Sequence, residues 1–278
     1  MNCYATLDDF KLLLGISATT YDTLFVQILE ATSREIEGPQ IANRWFWTYS
    51  GDRYYDGIPS GLSRMVIDDA LAITAIVADT EQDETYDGEE WVEGTDYRTG
   101  PYNEPVVQWI DNLDQADYRF QAGKRLYKIT GTWGYGDGRG NAWTTTSVTG
   151  TVATAAGTTL TLSVSGGVTA GQTLLIESEQ LYVTAVSGTS ATVTRGVNGT
   201  TAAAHSAKAI SVAAYPEIVT RACLFLSAEA WKGMRSAGLS EMQIGQWREK
   251  YKATGMCGRH RICTPVKRYD GPFRSVVD

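Results

Sequence analysis

Histidine is nearly absent from this 278-residue chain, cysteine is sparse, and no long apolar run occurs. With only His205 and His260 available, histidine-based catalysis has two candidates, and no Gly-x-Ser-x-Gly nucleophile elbow accompanies them. Four cysteines (Cys3, Cys223, Cys257, Cys263) in so long a chain do not make a disulfide framework, so their default state is the free thiol. No stretch approaches the ~20 apolar residues of a membrane-spanning helix. The start, Met1-Asn2-Cys3-Tyr4-Ala5, lacks the basic and apolar regions of a signal peptide. The expectation is a chain made and folded in a cytosol, without membrane contact. A net charge of -8 argues against a general nucleic-acid binder, which needs clustered Lys and Arg to neutralise phosphates.

What is present is an ordinary folding composition, 43% hydrophobic and 20% charged, with 8 Trp and 28 Gly. The length suits one large domain or two smaller ones. Charge is unevenly spread. Residues 1–140 carry 24 acidic and 11 basic side chains, residues 141–213 two of each, and residues 221–278 five acidic and eleven basic. An acidic body with a basic tail can dock like copies head to tail or offer the tail to an acidic partner.

Hydrophobic spacing predicts a helical hairpin at the start. Thr6 with Asp9 is a capping pattern, Leu7, Phe10, Leu13 and Leu14 share a face, and Gly15 stops the turn. Thr20 then caps a second helix that runs to Gly38-Pro39. Beyond it, Trp45 to Tyr49 and Arg53 to Tyr55 read as aromatic strands around a tight Ser50-Gly51-Asp52 turn. Strand character continues at Met65 to Ile67, Leu71 to Val77 and Leu126 to Trp133. Residues 79–117, with thirteen acidic side chains and the single basic Arg98, read as surface loop.

A glycine run from Gly134 to Gly140 marks a change of composition: 38 of the 73 residues from Asn141 to Ala213 are Thr, Ala or Gly. Period-two stretches at Thr158 to Val164, Thr173 to Ile176, Gln180 to Val186 and Ala191 to Arg195 predict a small all-β domain, a sandwich or barrel. Pro216 reopens helix, and Ser240 with Gln243 begins a last one carrying Ile244, Trp247 and Tyr251. Residues 256–278 are aperiodic and basic, an extended arm. The expected fold is therefore α+β: a helical core with a small β-sheet region (1–140 and 214–255), an inserted all-β domain (141–213), and a C-terminal arm (256–278).

Several patterns invite chemistry. Cys257, His260 and Cys263 are soft ligands that lack a fourth group for zinc, so free thiols or a late disulfide compete with a metal. Asp79, Glu81, Asp83, Thr85, Asp87 and Glu90 match EF-hand ligand spacing, but Glu84 stands where the loop needs Gly. The Gly134 run resembles a phosphate loop, yet Asn141-Ala142-Trp143-Thr144-Thr145 after it is not a helix start. His205 sits in a small-residue loop. The tryptophans suit core packing, with Trp45 and Trp47 sharing a face. No catalytic, cofactor-binding or metal residue is assigned, and the expectation is a protein that is not an enzyme.

At Lys128-Ile129-Thr130-Gly131-Thr132-Trp133-Gly134-Tyr135-Gly136 the chain resembles the head-to-tail connector, or adaptor, proteins of tailed double-stranded DNA bacteriophages. The start from Tyr4 to Lys11, the early helix pair, Tyr55-Asp56-Gly57 and the Pro216-initiated helix are similar in order. The run Arg195 to His205 resembles small β modules of phage structural proteins. The resemblance implies a structural virion protein of the neck, made in the host cytoplasm. It would form a ring, typically of twelve copies, beneath the portal protein, touching tail or stopper and terminator proteins, with DNA passing through the channel without sequence recognition. It also implies a portal-binding arm, here Pro265, Lys267, Arg268, Tyr269, Phe273 and Arg274. Two alternatives stand beside it: a tail-completion protein or other virion ring component, and a glycan-binding surface module built on the β insert.

Overall fold

A computed structural model describes residues 2–58, 63–113 and 120–235 in full, and 241–244 and 247–250 by their backbone. Among them, strands hold nearly twice as many residues as helices. The expected helical core is thereby overturned. The reason lies in where the large apolar side chains go: Met65, Ile76, Ile110, Ile129 and Trp133 all face inward from strands.

The helical hairpin is short. Helix α1 (Leu7–Leu14) starts where the Thr6 hydroxyl accepts the Asp9 amide at 3.1 Å, and it ends at Gly15, whose φ of 66° needs no Cβ. Helix α2 (Asp22–Glu37) begins after Tyr21 without a side-chain cap, so Thr20 does not serve as expected. The two helices meet through Phe10 and Phe25, edge to face with centroids 5.2 Å apart.

A five-stranded antiparallel sheet follows, built from β1 (Tyr49–Tyr55), β2 (Arg64–Ala78), β3 (Tyr97–Gly100), β4 (Val107–Asn112) and β5 (Tyr127–Trp133) in the spatial order β1-β5-β2-β4-β3. Ser50-Gly51-Asp52 lies inside β1, paired with Thr132, Gly131 and Thr130, and is not a turn. The acidic stretch also contains β3 and β4, whose alternation is hidden because Asp and Arg occupy the outer face while Tyr97 and Ile110 are buried. The fifteen-residue β2 absorbs its length through register shifts near Ala70 and Ile73, which bend it between two partners.

The next six strands close a barrel: β6 (Trp143–Val152), β7 (Thr159–Leu162), β8 (Thr173–Ile176), β9 (Glu179–Ser187), β10 (Ser190–Thr194) and β11 (His205–Ala213), in the order β10-β7-β6-β11-β8-β9. Alternate residues fill its interior, among them Val148, Leu160, Leu174, Ile176, Val183 and Ile210. A Cβ on Gly150 would lie 2.7 Å from Leu160 Cδ1, so the interior is packed solid.

Helix α3 (Glu217–Arg235) follows the barrel, with the Pro216 carbonyl accepting the Val219 and Thr220 amides. The last helix expected from Ser240 is replaced by two strands, β12 (Glu241–Ile244) and β13 (Trp247–Lys250), paired antiparallel with Ile244 opposite Trp247. Gly245 between them is a poor helix-interior residue, about 1 kcal/mol worse than Ala. The chain divides into two compact units, residues 1–224 and 225–278.

Candidate assembly surface

The helices leave large apolar side chains outside. In α1 Leu7 and Phe10 pack inward, leaving Leu12, 82% exposed, on the outer side of the last turn together with Leu13, which spacing alone places on the face of Leu7 and Phe10. In α3 the buried stripe is Val219, Cys223, Ser227 and Trp231, four residues apart. Cys223 lies against α2, 3.5 Å from the Ser33 hydroxyl. Ile218 and Phe225, 67% and 55% exposed, occur seven residues apart on the opposite side, while the partly exposed Leu226 flanks the buried stripe. An amphipathic helix needs only one apolar stripe, so the second stripe is the signal that simple core-face counting misses.

The barrel is tied to the N-terminus by polar groups. The Asn2 side-chain amide donates to Asn198 Oδ1 at 2.9 Å, and the Asn198 amide donates to Asn2 Oδ1 and Gln180 Oε1. Thr173 Oγ1 donates to Asn2 Oδ1 at 2.7 Å, and Gln180 Nε2 donates to the Thr48 carbonyl. Cys3 Sγ sits 3.1 Å from the Tyr182 hydroxyl, and burial pushes its thiol up to about 12.

Below this seam lies a buried ionic cluster. The fully buried Glu179 carboxylate receives five hydrogen bonds: Arg195 Nε at 2.7 Å, Arg195 Nη2 at 2.6 Å, the Gly196 and Ala203 amides at 3.0 Å, and His205 Nε2 at 2.8 Å. Burial alone would raise this carboxyl, but Arg195, the two amides and His205 outweigh it and hold it at about 2. His205 Nδ1 faces Glu177 Oε2 at 2.9 Å, and Lys208 pairs with the other Glu177 oxygen at 2.7 Å. His205 is therefore a buried residue at the start of β11, not part of a small-residue loop. The sequence signal was there, since Arg195 and His205 bracket a polar-poor loop, but their shared carboxylate comes from β9.

The remaining candidates resolve structurally. Asp79 turns its carboxylate onto the Asp83 and Glu84 amides, and Asp83 accepts from Thr85, so the EF-hand-like run caps its own loop. Among the described residues no three His, Cys, Asp or Glu side chains are placed to share a metal ion. Asp137 closes the glycine run by accepting the Arg139 and Asn141 amides. Trp45 and Trp47 stack at 5.8 Å, outside the strands, and Arg53 lies between Trp45 and Trp133 at 4.8 and 4.9 Å from the ring centres. His260, Cys257, Cys263 and the arm residues Pro265, Lys267, Arg268, Tyr269, Phe273 and Arg274 lie outside the described residues.

Two surface clefts open on the sheet. One of about 380 Å³ is lined by Glu37, Arg44, Trp45, Asp68 and Asp69. Its carboxylates are engaged: Asp68 pairs with Arg53 at 2.6 Å, Asp69 faces Arg44 at 3.5 Å, and Glu37 accepts from Trp47 and Arg34. Burial raises the Asp69 carboxyl against the opposing pull of Arg44. The other, about 280 Å³, is lined by Glu89, Glu90, Trp91 and Asp96. Neither brings a nucleophile, base and oxyanion donor together among the described residues. No described helix is long and apolar enough to cross a membrane.

Comparison with protein-family models, with curated proteins and with solved structures finds no match to this chain.

Proposed function

We propose that this chain is a structural protein of a phage virion, a head-to-tail connector that assembles into a ring beneath the portal and joins capsid to tail. The observation that carries the reading is the exposure of large apolar side chains on helices near both ends of the described chain, Leu12 and Leu13 on α1 and Ile218 and Phe225 on α3. Such surface favours association with other protein. The sequence resemblance from Lys128 to Gly136 supplies the kind of assembly. The body that would form the ring is a β-sheet and a barrel, not a helical core, and the barrel offers tail components a rigid knob.

The distribution of charge suits the same role. In the loop that precedes β3, Glu81, Asp83, Glu84, Asp87, Glu89, Glu90 and Glu93 are all exposed, and a channel wall of that sign would repel phosphate and let DNA slide. The basic arm from Pro265 to Arg274 is the proposed portal contact. Light scattering of the full-length protein mixed with its portal ring tests this. The expected outcome is a stoichiometric complex that is lost when Lys267, Arg268 and Arg274 are changed together to Glu. A protein that ignores the portal, at low and physiological salt alike, sinks the connector reading.

A further inference from the structure

We propose that copies of this chain join head to tail, the exposed end of α1 in one copy receiving the outer face of α3 from the next. The inference rests on the ring reading above and adds which surfaces meet. Its first support is geometric. Leu12 and Leu13 stand exposed on the last turn of α1, a helix capped at both ends by Thr6 and Gly15. Ile218 and Phe225 stand on α3 on the side opposite its buried stripe, with the partly exposed Leu226 at that stripe's edge. Both patches belong to regular helices, so they are presented rigidly and lose little freedom on docking.

The second support is charge complementarity. Residues 1–224 carry 27 acidic and 14 basic side chains, whereas residues 225–278 carry five acidic and ten basic. The helices repeat the contrast locally. Asp8 and Asp9 occupy the first turn of α1, and Lys232 and Arg235 the last turn of α3. Laid antiparallel, the helices would match these groups: Leu12 lies about 6 Å along the axis from Asp8, and Lys232 about 9 Å from Leu226, at 1.5 Å per residue. Apolar side chains would then meet at the centre with opposite charges at the rim, the arrangement of a specific interface.

The two patches differ, so with one α1–α3 contact between any two copies, and no reciprocal exchange across a two-fold axis, the contact is heterologous. Each copy that joins leaves one α1 end and one α3 face free, and growth continues until a ring closes. Two copies sharing a single α1–α3 contact cannot satisfy both patches.

Sedimentation velocity of the full-length protein over a wide concentration range provides the test, with Leu12→Glu and Phe225→Glu as variants. Both positions are exposed, so unchanged circular dichroism is expected. If either variant loses structure, Leu12→Ser and Phe225→Ser replace them. The wild type should self-associate, more weakly at high salt, and each variant should associate at least about tenfold more weakly. An equimolar mixture of the variants is the sharper arm. The intact α3 of one and the intact α1 of the other should give a heterodimer and nothing larger. A wild type that stays monomeric, variants that associate like the wild type, or a mixture that regains full-size assemblies each overturns the contact. If the portal complex forms while these arms fail, the connector reading survives and only the α1–α3 pairing is wrong.

Discussion

Replacing Glu179 with glutamine asks how much the barrel depends on one buried charge. Glutamine keeps the size and one acceptor oxygen, but it sets an NH₂ group among the Arg195, Ala203, Gly196 and His205 donors that now converge on the carboxylate. It also strands the Arg195 guanidinium, which among the described residues has only carbonyl partners besides Glu179: Thr154, Gly157 and Ala203. Breaking a buried ion pair on one side costs about 3–5 kcal/mol. An independent route gives a similar figure. A folded value near 2 against an ordinary 4.5 corresponds to about 3 kcal/mol at 1.36 kcal/mol per unit. Because the folded value is depressed, this stability is complete above about pH 4.5 and fades as pH falls toward 2. Urea unfolding of wild type and Glu179→Gln, followed by intrinsic fluorescence from pH 7 to pH 3, should therefore show a gap of about 3 kcal/mol that narrows only below pH 4.5. A gap under about 0.5 kcal/mol at pH 7, or one that narrows already between pH 7 and 5, would refute the reasoning.

Three further outcomes follow from particular contacts. Gly131→Ala places a Cβ 2.4 Å from the Ala72 carbonyl oxygen across β5 and β2, a backbone clash no rotamer relieves; thermal or urea denaturation should show a loss of about 1–3 kcal/mol. Leu160→Ala, opening a hole in the filled barrel, should cost about 2–5 kcal/mol in the same measurement. Cys3 and Cys223 are buried, and with the Cys3 thiol near 12 its thiolate fraction at pH 8 is only about one in ten thousand. Mass-spectrometric mapping after alkylation at pH 8 should find both unmodified in the native protein and both modified in denaturant; rapid native labelling of Cys3 would contradict its placement.

The α1–α2 hairpin was legible in the sequence because its determinants are local. Thr6, Asp9 and Gly15 act within a single turn or two, and an apolar spacing of three and four needs no distant partner. The barrel strand β10 was legible for the same reason, as its alternation is uninterrupted, and β8 as a short apolar run between turns. What could not be read locally is who pairs with whom. Tyr97 and Ile110 read as loop among acids until β2 and β4 give them a covered face, and Ile244 and Trp247 carry a helical spacing that a two-stranded pairing satisfies equally well. The site followed the same rule. Arg195 and His205 are visible as residues, but Glu179, which joins them, lies 16 and 26 positions away, and only closure of β9, β10 and β11 around the barrel brings the three side chains together. Sequence by itself settled the Thr6 and Gly15 caps of α1, the period of the regularly alternating strands and the division of charge between the two ends. Tertiary structure decided which apolar side chains were left outside, because exposure is a property of the neighbours a residue acquires and not of the residue.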